Sequence, residues 1–154
     1  MKAIPTKYAG VQFRSRLEAK WAALFDIAGM QWSYEPFDLD GWAPDFAIHT
    51  KNGDILVEVK PVNLVPCFVF EDGFALPGSS SFKKAEKHQK ENWVLLLGER
   101  PQSNADHFGI GSLLDTPKHA HGKVKWNDML DRVCVRDCEA KWRAAGNATQ
   151  WVAA

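Results

Sequence analysis

Residues 44–61 read Pro44-Asp45-Phe46-Ala47-Ile48-His49-Thr50-Lys51-Asn52-Gly53-Asp54-Ile55-Leu56-Val57-Glu58-Val59-Lys60-Pro61. Two short apolar runs, Phe46 to Thr50 and Ile55 to Lys60, flank Lys51-Asn52-Gly53-Asp54, and an Asn-Gly pair supplies the positive φ angles of a tight hairpin turn. The spacing therefore predicts two paired strands. Glu58 and Lys60 stand two apart on one strand, so both side chains take the same face, and Asp45 at the start of the other strand comes opposite them.

Outward from this hairpin, a helix is expected from Arg14 to Gly29. Leu17, Trp21, Leu24, Phe25 and Ala28 recur at helical spacing, Ser15 is placed to cap the start, and Gly29 supplies a stop. Gln31 to Leu39 reads as an edge or bulged strand limited by Pro36. Pro61 to Ser81 is rich in proline, glycine and serine and reads as a connector, with room for a small hairpin pairing Cys67 to Phe70 with Phe74 to Leu76. A lysine-rich helix from Phe82 to Glu91 then leads to Trp93 to Leu97, a continuous apolar run expected of a strand buried on both faces. Phe108 to Leu114 offers a further strand. From Lys125 to Ala145 one stripe holds Trp126, Met129, Leu130, Val133, Cys134, Cys138 and Trp142, which predicts a C-terminal amphipathic helix that either covers the sheet or forms a contact between subunits.

The order helix, strand, hairpin, helix, strand, helix describes an α/β architecture with a mixed central sheet of about four to five strands and flanking helices. At 154 residues the chain fits a single domain over residues 1–154. With 45% hydrophobic residues, seven Trp and nine Phe, it can bury a core without disulfides. Nineteen basic and nineteen acidic residues cancel, so affinity for an anionic partner must come from a local patch. Three cysteines, Cys67, Cys134 and Cys138, are too few for a disulfide framework and suggest free thiols in a reducing, cytoplasmic compartment. No stretch is apolar enough to span a bilayer, and no membrane partner is expected.

Two carboxylates beside a lysine suit one chemistry in particular. Carboxylates hold Mg²⁺ by one or two direct bonds and leave the remaining positions to water and substrate phosphate. The metal acts as a Lewis acid, and Lys60 can orient the attacking water or neutralise charge on the phosphate. The backbone carbonyl of Val59 is a candidate further ligand, and Glu18 on the first helix could bring a third acid to the same cleft. Each group also has a plainer role. Asp45, Glu58 and Lys60 could form a surface ion-pair cluster across the hairpin, and Ser15-x-x-Glu18 has the spacing of a capping box.

Five segments in order, Thr6-Lys7-Tyr8, Phe13-Arg14-Ser15-Arg16-Leu17-Glu18, Tyr34-Glu35-Pro36, Pro44-Asp45-Phe46 and Val57-Glu58-Val59-Lys60-Pro61, resemble the PD-(D/E)xK phosphodiesterase superfamily. More narrowly they are similar to small phage and prophage nuclease-like proteins of that superfamily. The resemblance covers roughly Thr6 to Gly98. It implies a restriction-endonuclease-like core and Mg²⁺-dependent DNA cleavage, with Mn²⁺ able to substitute, in the cytoplasm of a bacterial host. It further implies Asp45, Glu58 and Lys60 as the catalytic set, Glu18 as the first-helix acid, and Asp45, Glu58, Val59 and Glu18 as metal ligands.

Lys7, Arg14, Arg16 and Lys20, with Lys83, Lys84, Lys87 and Lys90, are candidates for phosphate contacts on either side of the cleft, or else ordinary solvated helix faces. Trp42 and Phe68 could stack on bases, although the core is the commoner place for an aromatic. His119, His121, Cys134 and Cys138 do not match zinc-site spacings. His49, His88 and His107 show no partner at readable spacing. The competing reading is a catalytically inactive nucleic-acid-binding or protein-interaction module on the same fold. A double-strand cut by a chain with one active site would favour a homodimer.

Overall fold

The computed structural model describes residues 3–64, 69–70, 73–74, 82–102 and 109–150. At the N-terminus β1 (Thr6–Tyr8) and β2 (Val11–Phe13) form an antiparallel hairpin. Ala9 and Gly10 join them with φ of 50° and 78°, the left-handed pair that a two-residue turn between twisted strands requires. This hairpin was not expected from the sequence.

The first helix, α1 (Arg16–Ile27), begins where the Ser15 hydroxyl accepts the Glu18 N–H at 3.1 Å. It stops where Gly29 takes φ 76° and the Met30 N–H closes back on the Phe25 carbonyl at 2.8 Å. Its inner face buries Trp21, Ala22, Leu24 and Phe25.

Five strands form the central sheet in the order β3-β4-β5-β8-β9: β3 (Gln31–Tyr34), β4 (Phe46–Thr50), β5 (Gly53–Val59), β8 (Trp93–Leu97) and β9 (Ser112–Leu113). Between β5 and β8 lie β6 (Val69–Phe70) and β7 (Gly73–Phe74), a separate two-stranded pair at the position of the expected small hairpin, and α2 (Lys83–Glu86). β5 and β8 are parallel while the other pairs of the central sheet are antiparallel, so the sheet is mixed and the segment carrying α2 is a crossover. The fold class read from the sequence, mixed α/β with a sheet of about four to five strands and flanking helices, is the observed one, with five strands in the sheet.

The decisive hairpin pairs Phe46 with Val57 and Thr50 with Gly53 around Lys51-Asn52. The positive φ falls on Gly53 alone, at 119°, and not on both members of the Asn-Gly pair. Strand alternation sends Phe46, Ile48, Ile55, Val57, Val59, Trp93, Leu95 and Leu97 into the main core, under α1 and the C-terminal helices. Ala47, Leu56, Val94 and Leu96 face the opposite side, where Trp42, Phe82 and Ala85 cover them.

Several boundaries differ from the sequence reading. The edge strand ends at Tyr34, because Glu35 adopts φ 44° just before Pro36. The helix expected from Phe82 to Glu91 is a single turn, Lys83–Glu86; beyond it His88, Gln89 and Glu91 donate to carbonyls only three residues back. The strand expected over Phe108 to Leu114 is confined to Ser112–Leu113 among the described residues. Most decisively, the expected helix over 125–145 is two helices, α3 (Trp126–Asp131) and α4 (Cys138–Ala148). Continuation would need the Val133 carbonyl for a bond four residues on, but that carbonyl accepts the Ile110 N–H at 2.8 Å, and Asp137 turns left-handed with φ 50°. Met129, Val133 and Cys138 are buried and Trp142 packs 4.6 Å from Trp21, ring centre to ring centre, so this part of the stripe covers the sheet through α1, while Trp126 stays exposed.

Candidate active site

Asp45 precedes β4 by one residue, and its backbone ties both neighbouring strands together. Its N–H donates to the Val57 carbonyl at 2.9 Å and its carbonyl accepts the Glu35 N–H at 2.7 Å. Extending the Phe46 to Val57 register by one residue sets Asp45 opposite Glu58, with both side chains on the α2 side of the sheet. Asp45 Oδ2 accepts the Val59 N–H at 2.8 Å. Glu58 is only 8% exposed, its Oε2 accepts the Trp42 indole N–H at 2.5 Å, and its Oε1 lies 3.3 Å from Lys60 Nζ. The backbone of Lys60 is anchored to β8, where its N–H reaches the Leu97 carbonyl at 3.0 Å.

The N–H and C=O of one strand residue point to the same lateral side. The Val59 N–H turns to Asp45 and away from β8, so the Val59 carbonyl lies on the Asp45 side as well. Burial, then the facing Glu58 charge and more weakly Glu18, push the Asp45 carboxyl up to about 8, against the opposing pull of the Val59 N–H and Lys60.

Glu18 sits at the third position of α1 and is 7% exposed. Ser15 Oγ donates to its Oε2 at 2.7 Å and Tyr34 Oη donates to its Oε1 at 3.1 Å. The serine half of the capping box expected from Ser15-x-x-Glu18 is formed, with Glu18 taking the Ser15 hydroxyl and not its backbone N–H, and the same carboxylate remains close enough to raise the Asp45 pKa. Burial is the main cause that raises the Tyr34 phenol, with the Glu18 charge adding to it, so the phenol stays a proton donor to that carboxylate.

Asp45, Glu58 and Lys60 open onto a cleft of about 610 Å³ lined also by Arg14, Trp42 and Lys84 among others, while Glu18 and Val59, expected to reach the same cleft, are not among its lining residues. Of the basic residues singled out in the sequence, Arg14 and Lys84 belong to its wall. Arg14 is held 2.6 Å from Glu35 while most of its side chain stays exposed. Lys7, Arg16, Lys83, Lys87 and Lys90 are exposed but outside that lining, and Lys20 lies over the Trp142 ring at 4.1 Å.

Trp42 is 5% exposed and belongs to the core, which removes it as a base-stacking platform; Phe68 lies outside the described residues. The turn Leu39-Asp40-Gly41-Trp42 delivers it. Leu39 and Trp42 exchange backbone hydrogen bonds at 2.7 and 3.1 Å, and Gly41 takes φ 75°. His49, read without a partner in the sequence, lies between Ser33 Oγ at 2.7 Å and Asp54 Oδ1 at 2.9 Å. Both His49 and Asp54 are exposed, and Ser33 lines none of the described clefts, so this chain of contacts is a cross-strand network on a solvated face. Cys134 and Cys138 are free, and burial raises both thiols.

Comparison with family models, curated proteins and solved structures returns no match to this chain. No helix among the described residues is long and apolar enough to cross a membrane.

Proposed function

We propose that the chain is a metal-dependent nuclease of the PD-(D/E)xK kind that hydrolyses DNA phosphodiesters at the wall formed by Asp45, Glu58 and Lys60. One observation carries the reading: two facing, largely buried carboxylates share an open cleft with Lys60, Arg14 and Lys84. A salt-bridge cluster on a solvated surface would be stabilised by exposure and pairing. Here burial, and then a repulsion from Glu58 that outweighs the pull of Lys60, hold the Asp45 carboxyl up at about 8, so it keeps its proton at neutral pH.

A hard divalent cation would take the place of that proton beside the two carboxylates. Asp45 Oδ2 and Glu58 Oε2 are occupied by the Val59 and Trp42 N–H groups, which leaves Asp45 Oδ1, Glu58 Oε1 and the Val59 carbonyl as donors. Among the described residues no group of three or more His, Cys, Asp or Glu side chains is gathered to hold a metal. Mg²⁺ needs only one or two carboxylates beside water and substrate phosphate, so the donor set fits. Bound Mg²⁺, or Mn²⁺ in its place, supplies Lewis acidity and a water of lowered pKa.

The chain's own residues do the rest. Lys60, now resting on Glu58 Oε1, is the cationic side chain paired with these carboxylates and the group to orient water or meet charge developing on the phosphate. Arg14 and Lys84 would hold the flanking phosphates. Glu18, fixed by Ser15 and Tyr34, would add a third negative charge that Asp45 feels. Action on phage or prophage DNA in a bacterial cytoplasm, and a two-fold dimer for double-strand cuts, accord with the sequence resemblance and belong to the same proposal.

The partners these carboxylates already hold, Lys60 and the Trp42 and Val59 N–H groups, favour one other reading, a silent DNA-binding module on this fold. Cleavage of labelled single-stranded, duplex and branched DNA with Mg²⁺, and its loss in Asp45→Ala, separates the two. A binding module cleaves nothing and keeps its partner through that change.

A further inference from the structure

We infer that Trp42 is a positioning residue for the metal site, holding Glu58 so that a single oxygen is presented to the cation, with His88 as its backing. The inference rests on the nuclease reading and deepens it. The indole N–H of Trp42 meets Glu58 Oε2 at 2.5 Å in a position where Trp42 is 5% and Glu58 8% exposed. A buried carboxylate with a free second oxygen could rotate or bind a metal through both atoms. With Oε2 committed to the indole, Oε1 is the oxygen that a cation can take once Lys60 moves aside.

The indole is itself fixed from behind. The His88 ring stacks on it with centroids 5.6 Å apart and planes 30° apart. His88 Nε2 lies 2.6 Å from the Asp40 carbonyl, an acceptor, so that nitrogen carries a proton and donates. Asp40 belongs to the same tight turn that delivers Trp42, and His88 follows α2, whose Lys84 lines the cleft. The chain Asp40, His88, Trp42, Glu58 therefore joins the turn, the crossover helix and the acid of β5 into one support. Groups that orient metal ligands in this way are commonly worth about 10- to 100-fold in metal affinity when lost.

The test is Mn²⁺ titration of the purified full chain, followed by electron paramagnetic resonance of the free ion. Wild type, Trp42→Phe, His88→Ala and Asp45→Ala are compared, with urea unfolding of each measured alongside. Trp42→Phe keeps an aromatic ring against His88 and removes the donor. The expected result is Mn²⁺ affinity weakened roughly 10- to 100-fold in Trp42→Phe, a smaller loss in His88→Ala, and no binding in Asp45→Ala. A merely structural tryptophan would lower the urea midpoint and leave the affinity of the folded protein unchanged. If wild type binds Mn²⁺ and Asp45→Ala does not, while Trp42→Phe and His88→Ala bind as wild type does, this inference is overturned and the nuclease reading stands. If wild type binds no Mn²⁺, both fall. Should Trp42→Phe not fold, His88→Ala decides, because an unchanged affinity there overturns the support from behind the indole.

Discussion

Asp45→Asn should stabilise the metal-free protein, and by more as the pH rises. Asp45 is pushed from 3.8 up to about 8 by burial and by Glu58 across the hairpin. Its folded value lies above its unfolded value, so the stability tied to its proton is fully present below the unfolded value and is lost as the pH rises through the folded one. Each pH unit inside that window costs about 1.4 kcal/mol for an independent site. Between pH 5 and pH 8 the wild type should thus lose on the order of 4 kcal/mol, the single-site limit that sharing of charge with Glu58 reduces. An amide has no proton to lose and can still accept the Val59 N–H through its own oxygen. The gap between variant and wild type should therefore open by up to about 4 kcal/mol over that range, or roughly 8 to 16 °C in Tm for a chain of this size. Urea unfolding in EDTA at pH 5, 6, 7 and 8 reads it. Parallel curves for the two proteins would refute the argument that Asp45 holds strained negative charge.

Three further outcomes follow from particular contacts. Arg14→Ala and Lys84→Ala should each weaken duplex binding and lower the salt slope by about 0.9, because both line the cleft; filter binding across a salt series checks this, and unchanged slopes contradict it. Gly98→Ala should cost about 1 to 3 kcal/mol in urea unfolding, since an added Cβ would meet the Val62 carbonyl oxygen and the Leu64 side chain beside β8. Ser15→Ala should cost about 0.5 to 2 kcal/mol through the lost helix cap and also leave Glu18 Oε2 without its hydroxyl donor, which far-UV circular dichroism during thermal unfolding would register as an earlier transition.

The parts of the fold that could be read from the sequence are those in which one signal dominates. Ser15 and Gly29 bracket α1 because cap and stop residues act locally. The hairpin carrying Asp45 and Glu58 was legible because alternation and the turn agree, and β8 because a central strand is apolar throughout. The C-terminal break was not legible: Val133 and Cys134 keep a helical stripe, and the distant Ile110 N–H, which claims the Val133 carbonyl, interrupts it together with the left-handed turn at Asp137. The site shows the same division. Spacing along strands places Asp45, Glu58 and Lys60 together, and Ser15-x-x-Glu18 announces its own bond. Trp42 escaped because its role depends on a turn that folds over the sheet and on His88, far along the chain. Likewise, exposed lysines look alike in sequence, and only the packing of the helix selects Lys84 for the cleft wall.

The most direct test of the central claim is DNA cleavage by the purified chain with Mg²⁺, Mn²⁺ or EDTA, set beside Asp45→Ala and Lys60→Ala shown to be folded. Cleavage should need the metal and disappear in both variants. A folded wild type that cuts no DNA with either metal, or variants that cut as well as wild type, would contradict it.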